Sequence, residues 1–152
     1  MDKDKVISKL NHLLARTYDA EQGYVEAANH ISSVSLNRWL QENAAQRYRF
    51  GHEIKGEIRK LGGTPDKGTS FAGEAHQFWM NLKSYFTAND ELGMLNESIT
   101  GEEKALEDYN DVLEDTTLPL ETKTLLEDHR DSIKANIRTM KRMTDIYDTI
   151  DA

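Results

Sequence analysis

The chain has 152 residues, the size of one ordinary domain with a single hydrophobic core. Its 27 acidic and 19 basic residues give a formal net charge of −8, which repels phosphate backbones and argues against nucleic acid as a partner. Cysteine is absent, so disulfides, thiolate zinc sites and cysteine nucleophiles are excluded, and we expect a cytoplasmic protein.

The composition indicates a soluble helical protein. Charged residues occupy the N-terminus, MDKDKVISKL, where a secretory signal needs an apolar stretch. No later apolar run approaches the roughly 20 residues of a membrane span, so we expect no membrane partner. Only two prolines occur, and β-branched residues form no alternating run, which leaves α-helix as the supported element type.

Two amphipathic stretches form a first predicted hairpin. Apolar residues spaced by three and four predict a helix over about residues 3–31. A short polar joint follows, and a second apolar stripe predicts a helix over about residues 35–61, ended by Gly62 and Gly63. A joint this short makes the two helices antiparallel neighbours.

A second hairpin follows after a long connection. Its predicted helices cover about residues 90–115 and 119–149. The connection, residues 64–88, contains an amphipathic run that predicts a short helix over about residues 71–86. A connection of this length can travel along the bundle, so we predict a ferritin-like four-helix bundle with a long crossover. We place the start of the third long helix at the end of the bundle where the first one starts.

Four polar residues lie on the stripes that should form the core. They are Glu21, Arg47, Glu102 and His129, each contributed by a different predicted helix. A charged group in such a core has to be paired, bound to a metal or able to reach solvent.

One interpretation is a metal site. Carboxylate and imidazole groups from different helices suit iron, manganese or zinc, and the candidate ligands are Glu21, Glu102 and His129. Glu53 or Glu57 would add a ligand if the second helix were rotated from this assignment. The di-iron pattern of such bundles takes a Glu-x-x-His from each of two helices, and neither is present.

The other interpretation is an ion-pair cluster. Here Arg47 fills the space a metal would take and pairs with Glu21 and Glu102, with His129 as a hydrogen-bond partner. A guanidinium group is incompatible with a dense dication site and well suited to pairing with carboxylates.

Several segments together resemble a known family. They are Leu10-Asn11-x-Leu13, Asp19-Ala20-Glu21-x-Gly23-Tyr24, Arg47-x-x-Phe50-x-x-Glu53-Ile54, Leu61-Gly62-Gly63, Gly68-x-x-x-x-Gly73-x-x-His76-x-x-Trp79-Met80-x-Leu82-Lys83 and Gly101-Glu102-x-x-x-x-x-Tyr109. In order and spacing they are similar to a bacterial family of ferritin-like four-helix-bundle proteins filed as a domain of unknown function. The resemblance implies a ferritin-like bundle and no established reaction. Stress-response proteins and di-iron oxidases are among the wider group, and the chain departs from them by lacking both Glu-x-x-His motifs.

Three functional hypotheses follow from these residues. The first is a non-catalytic, self-associating bundle with a structural or stress-related role and no catalytic residues. The second is a metal-binding protein or metal-dependent oxidoreductase that uses Glu21, Glu102 and His129. The third is an adaptor that presents the crossover helix around Trp79 to another protein.

Overall fold

Long α-helices make up the protein, and no strand occurs among the residues that the structure describes. The computed structural model describes residues 1–66, 81–85 and 90–151, with side chains as far as residue 147. The long helices are α1 (Lys3–His30), α2 (Val34–Lys60), α3 (Glu91–Leu113) and α4 (Leu120–Asp151). The predicted all-α bundle of two hairpins is confirmed. None of the described helices contains a stretch long and apolar enough to cross a bilayer.

Side-chain caps define where the first three helices begin. An oxygen of the residue before each helix accepts a hydrogen bond from a backbone N–H of the first turn, which otherwise has no partner. The three pairs are Asp2 with Lys5 at 3.1 Å, Ser33 with Leu36 at 3.3 Å and Asp90 with Gly93 at 2.8 Å. The polar joint after α1 therefore also starts α2.

One apolar face of each helix is buried in a common core. Fully buried side chains on the four helices include Leu10, Leu40, Ile54, Leu95 and Ile133. Burying one such side chain stabilises the fold by roughly 1.5–3 kcal/mol. The core thus fixes which face of every helix points inward, and with it the polar residues on that face.

Gly62 ends α2 with a left-handed backbone conformation. Its φ is +84°, and its N–H donates to the carbonyl oxygen of Arg59 at 2.9 Å. The next N–H, of Gly63, donates to the carbonyl oxygen of Ile58 at 2.9 Å. These bonds satisfy carbonyls at the end of the helix, and only glycine adopts the required φ without strain.

A pair of glycine substitutions in and just after α2 tests this assignment. Gly62→Ala is expected to lower the free energy of unfolding by about 1 kcal/mol, because alanine is strained at positive φ. Gly56→Ala is the matched control: it lies inside α2, a Cβ there meets nothing within 4 Å, and alanine should stabilise by about 0.5–1 kcal/mol. Urea denaturation measures both values, and equal signs for the two variants would contradict the assignment.

Contacts between helices establish the direction of α4 relative to α2. Four hydrogen bonds between described side chains join them, and residue numbers on α4 fall as those on α2 rise. The pairs are Gln46 with Asn136 at 2.8 Å, Glu53 with His129 at 3.3 Å, Glu57 with Thr122 at 2.8 Å and Lys60 with Glu121 at 3.3 Å. The two helices are therefore antiparallel, and α3, which forms a hairpin with α4, runs in the same direction as α2.

The third long helix does not start where we predicted. After α2 the chain is held at the N-terminal half of α1, where Asn11 bonds Thr64 at 3.2 Å and Asp66 at 2.8 Å. Because α3 is parallel to α2, it starts at the opposite end of the bundle, and the prediction that it starts beside the start of α1 is wrong. The reason is that α2 already returns the chain to that end, so a long crossover carries it away again.

The crossover itself is described only in part. Residues 81–85 are helical, and Leu82 is buried in the core. The rest of the helix predicted over about 71–86 lies outside the described residues. So does Trp79, and the partner surface predicted around it stays a prediction.

Candidate functional site

A buried arginine lies at the centre of the bundle. Arg47 on α2 is 2% exposed and forms an ion pair through Nη2 with Oε1 of Glu102 on α3, which is 3% exposed. The guanidinium carbon also lies 5.9 Å from the ring centroid of Tyr24 and 5.6 Å from that of Phe50. These are cation–π distances, so the charge is met by a carboxylate and by aromatic rings.

Amide side chains complete the hydrogen bonds around this pair. Arg47 Nη1 donates to Oε1 of Gln46 at 3.1 Å, and Asn136 Nδ2 donates to the same oxygen at 2.8 Å. The Asn136 amide also lies 3.4 Å from Oε2 of Glu102. With Tyr24 from α1, all four long helices contribute to the cluster.

Burial and the Arg47–Glu102 pair decide the protonation states here. Burial by itself would lower the pKa of the Arg47 guanidinium, but attraction to Glu102, Tyr24 and Tyr109 and the hydrogen bond to Glu102 together more than offset this, and its pKa is raised. Burial, and then the neighbouring Glu102 carboxylate, raise the pKa of the Tyr24 hydroxyl well above its ordinary value. Arg47 is thus a permanent cation and Tyr24 a neutral phenol.

His129 on α4 belongs to a second polar group beside Phe50. Its ring stacks on Phe50 with centroids 3.8 Å apart and planes 11° apart. Nδ1 lies 2.9 Å from the Tyr109 hydroxyl, and Nε2 lies 3.3 Å from Oε1 of Glu53. Because a carboxylate only accepts, Nε2 carries the proton, and Nδ1 of the neutral ring accepts from Tyr109.

The surroundings of His129 favour its neutral form. Burial lowers the pKa of the imidazole most strongly, and the positive charge of Arg47 lowers it further. The nearby carboxylates of Glu53 and Asp128 oppose that shift without cancelling it. His129 therefore holds two hydrogen bonds as an uncharged ring at neutral pH.

Glu21 is outside this cluster, and the predicted pair between Glu21 and Arg47 is not formed. The residue is half-buried, burial raises the pKa of its carboxyl, and the positive charge of Lys55 on α2 opposes that shift. Tyr24, three residues on, takes the position facing Arg47. Three residues turn a helix by about 300°, which leaves Glu21 roughly 60° away from that direction.

The three predicted metal ligands are therefore not brought together. Glu102 is paired with Arg47, and His129 bonds Glu53 and Tyr109. Across residues 1–66, 81–85 and 90–151, no group of three or more histidine, aspartate or glutamate side chains is placed to hold a metal ion. Glu57, the other possible extra ligand, accepts from Thr122 at 2.8 Å and pairs with Lys60 at 3.0 Å.

Sequence reasoning missed the role of two residues. Tyr24 and Tyr109 stand in the segments that resemble the family, and no contact is predicted for either from the sequence. A signal was present, because a tyrosine in a core needs a partner for its hydroxyl group. The sequence alone does not identify the residue that bonds each tyrosine hydroxyl.

A family model described as a domain of unknown function (DUF2383) matches residues 5–115. The chain belongs to this family. No curated protein matches the chain. The matched residues include Arg47 and Glu102, so the central ion pair lies within the region that defines the family.

A solved structure supports the fold assignment. The chain is similar to the bacterioferritin of Rhodobacter capsulatus, with a TM-score of 0.79 and 17% identity over 96% of this chain and 87% of that one. The ferritin-like four-helix bundle is therefore confirmed for this member of the family. That bacterioferritin is described with a metal-free dinuclear site and a heme iron.

The residues at the centre of this bundle do not fit a dinuclear metal centre. Such a centre needs several carboxylates and imidazoles around two dications. Here a guanidinium group occupies the space beside Glu102, and its positive charge would repel a dication. The family member thus has the fold of ferritins with a different set of central side chains.

Proposed function

We propose that the protein is a non-catalytic ferritin-like bundle with a structural or stress-related role in the bacterial cytoplasm. The observation that carries this proposal is the buried Arg47–Glu102 pair, in which a side-chain cation takes the place of a metal ion. The residues that a ferritin-type oxidation would need are replaced by a closed set of hydrogen bonds. What the fold retains is a rigid helical scaffold.

The charge balance of the cluster supports a bundle that folds without a cofactor. Glu102 has its charge compensated by Arg47 and a further contact from the Asn136 amide. An added dication would have to displace Arg47 and leave it buried without a partner, which is strongly unfavourable. The charge of Glu102 is therefore compensated without a metal ion.

Metal content of the purified protein tests this proposal. Protein isolated without chelator is expected to contain iron, manganese and zinc well below one ion per chain, because Arg47 holds the position beside Glu102. Elemental analysis by mass spectrometry measures it. Roughly one bound ion per chain that is lost in Glu102→Gln and kept in Glu103→Gln would overturn the proposal and favour the metal-dependent alternative. Glu103 is a matched control because it is the exposed neighbour of Glu102 on α3.

Self-association is part of the same proposal. Exposed apolar side chains lie on the first hairpin, where Val25 is 43%, Tyr48 63% and Val34 77% exposed. Contact between copies of the chain would remove this surface from water. Sedimentation velocity that finds only monomers at micromolar concentration would exclude a homo-oligomer.

A further inference from the structure

A chain of hydrogen bonds leads from the core of the bundle to its surface through His129. The Tyr109 hydroxyl, on α3, lies 2.9 Å from Nδ1 of the imidazole, and Nε2 lies 3.3 Å from Oε1 of Glu53 on α2. Tyr109 is 2% and His129 3% exposed, whereas the Glu53 side chain is 48% exposed. The chain therefore joins a buried phenol to a carboxylate in contact with water.

The exposed end of this chain lies in an open groove between α2 and α4. The groove has a volume of about 560 Å³, and Glu53 and His129 lie in its wall together with Asp128 and Ser132. Because nearly half of the Glu53 side chain is exposed, bulk water reaches its carboxylate. A proton that arrives at Glu53 can therefore leave the protein.

The directions of the hydrogen bonds suit the movement of two protons toward the surface. The Tyr109 O–H donates to Nδ1, and the Nε2–H of the neutral ring donates to Glu53. When a proton passes from Tyr109 to Nδ1, the proton on Nε2 can pass to Glu53, and the imidazole ends as its other neutral tautomer. No charge is left on the buried ring, where it would be unfavourable.

Tyr109 keeps its proton as long as it keeps its electrons. Burial raises the pKa of its hydroxyl most strongly, so the phenolate does not form at neutral pH. Loss of one electron reverses this, because an oxidised phenol is a strong acid and the radical left after proton loss is neutral. Proton release from Tyr109 is thus tied to its oxidation.

Tyr24, the buried tyrosine beside Arg47, has an acceptor that is closed off from solvent. Its hydroxyl interacts with Glu102, which is 3% exposed and paired with Arg47. A proton moved to Glu102 would leave the Arg47 cation buried without its counter-charge, which is strongly unfavourable. Of these two tyrosines, Tyr109 is therefore the one that can lose a proton to water.

We propose that Tyr109 is a redox-active tyrosine that gives one electron to an outer-sphere one-electron oxidant at the protein surface. The O–H bond of Tyr109 breaks, the electron reduces the oxidant, and the proton goes to Nδ1 of His129. The Nε2 proton of His129 goes to Glu53 and from there to water. The products are a neutral tyrosyl radical, the reduced oxidant and one proton in solution. This activity goes beyond the scaffold role and does not depend on metal content, so the two proposals are tested by separate measurements.

Flash oxidation of the unmodified protein by photogenerated tris(bipyridine)ruthenium(III) tests the proposal. Transient absorption and electron paramagnetic resonance are expected to show a long-lived neutral tyrosyl radical, because a radical in the core cannot couple with one on another chain. It should form more slowly in heavy water than in ordinary water, since protons move with the electron. Equal rates in the two solvents would overturn the proposal.

Three tyrosine variants locate the radical. Tyr109→Phe keeps the ring in the core and should abolish the long-lived radical. Tyr48→Phe removes a phenol that is 63% exposed, and Tyr147→Phe removes one that donates directly to the Glu91 carboxylate, so both should retain it. A long-lived radical that survives in Tyr109→Phe would contradict the assignment.

Variants of the proton path separate a relay from a purely structural contact. Glu53→Gln keeps an acceptor for the Nε2–H but cannot take up its proton, and should slow formation of the radical about tenfold or more. Glu42→Gln, the same change at another exposed position on α2, should leave the rate as in wild type. His129→Gln should slow it at least as much as Glu53→Gln. Circular dichroism establishes that each variant folds. If His129→Gln does not, the exposed position 53 decides, and a wild-type rate in Glu53→Gln would overturn the relay.

Discussion

Replacing Arg47 by methionine is expected to lower the free energy of unfolding by about 3–5 kcal/mol, because Glu102 then keeps a buried charge without its cation. Methionine is flexible and fills much of the space of the aliphatic part of arginine, so the loss reports mainly on the stranded carboxylate. Urea denaturation at pH 7 of wild type and variant measures the difference.

A second substitution separates the stranded charge from a loss of packing. The double variant Arg47→Met with Glu102→Leu should recover most of the lost stability, since apolar side chains of similar volume commonly replace a buried ion pair without loss. Arg49→Met is the control, because Arg49 is exposed on the same helix and its removal should change little. An Arg47→Met variant as stable as wild type would mean that Glu102 is not held by Arg47, and the proposed scaffold role would lose its main support.

The stability of the protein is expected to fall as pH drops below about 6.5, because of His129. Burial lowers the pKa of the imidazole in the folded protein below its ordinary value of about 6.5. Below about 6.5 the unfolded chain therefore binds a proton that the folded protein does not, and acid favours unfolding by up to about 1.4 kcal/mol per pH unit. Above this range the contribution of His129 is complete and constant. Chemical denaturation at a series of pH values between 7.5 and 5 measures the slope.

Comparison with a variant isolates His129 from other titrating groups. His129→Gln cannot take up a proton in this range and should flatten the slope, whereas His52→Gln, at an exposed position on α2, should leave it as in wild type. The raised pKa values of the Glu21 and Asp108 carboxyls act in the opposite direction at lower pH, because the folded state there binds the extra proton. A slope that is equal in wild type and His129→Gln would show that His129 is not held neutral by its surroundings.

The Tyr109 hydroxyl makes protonation of His129 unfavourable even though a carboxylate lies nearby. The carboxylate already accepts from Nε2 at 3.3 Å. A proton added to Nδ1 would turn that nitrogen into a donor facing the Tyr109 hydroxyl, which now donates to it at 2.9 Å. Tyr109 would have to rotate its hydroxyl and find another acceptor inside the core.

The pairing of Arg47 with Glu102 was accessible from the sequence. Both residues lie on apolar stripes whose inward direction follows from periodicity, and a buried cation and anion on facing helices have few other partners. The neighbours of His129 were not accessible in the same way. The contacts of His129 with Glu53 and Tyr109 depend on how far α2 and α3 are rotated about their own axes. A rotation by a fraction of a turn would bring other side chains of these helices to His129.

The position of Glu21 also could not be predicted from the periodicity of the sequence. Its position on the α1 stripe is shared with Tyr24, and periodicity alone leaves both facing inward. The packing of α1 against α2 places the Tyr24 ring near Arg47 and leaves Glu21 nearer Lys55. A difference of about 60° around the α1 axis thus decides that Tyr24 faces Arg47 while Glu21 is only half-buried.

By itself the sequence determined the helical class, the two hairpins, the long crossover and the presence of opposite charges in the core, because each depends on local spacing, caps and breakers. Only the tertiary structure decided that α3 runs parallel to α2, that Glu102 rather than Glu21 pairs with Arg47, and that Tyr109 and Glu53 meet at His129. Those features depend on the direction and rotation of whole helices, which the collective packing of the core selects and no local pattern encodes.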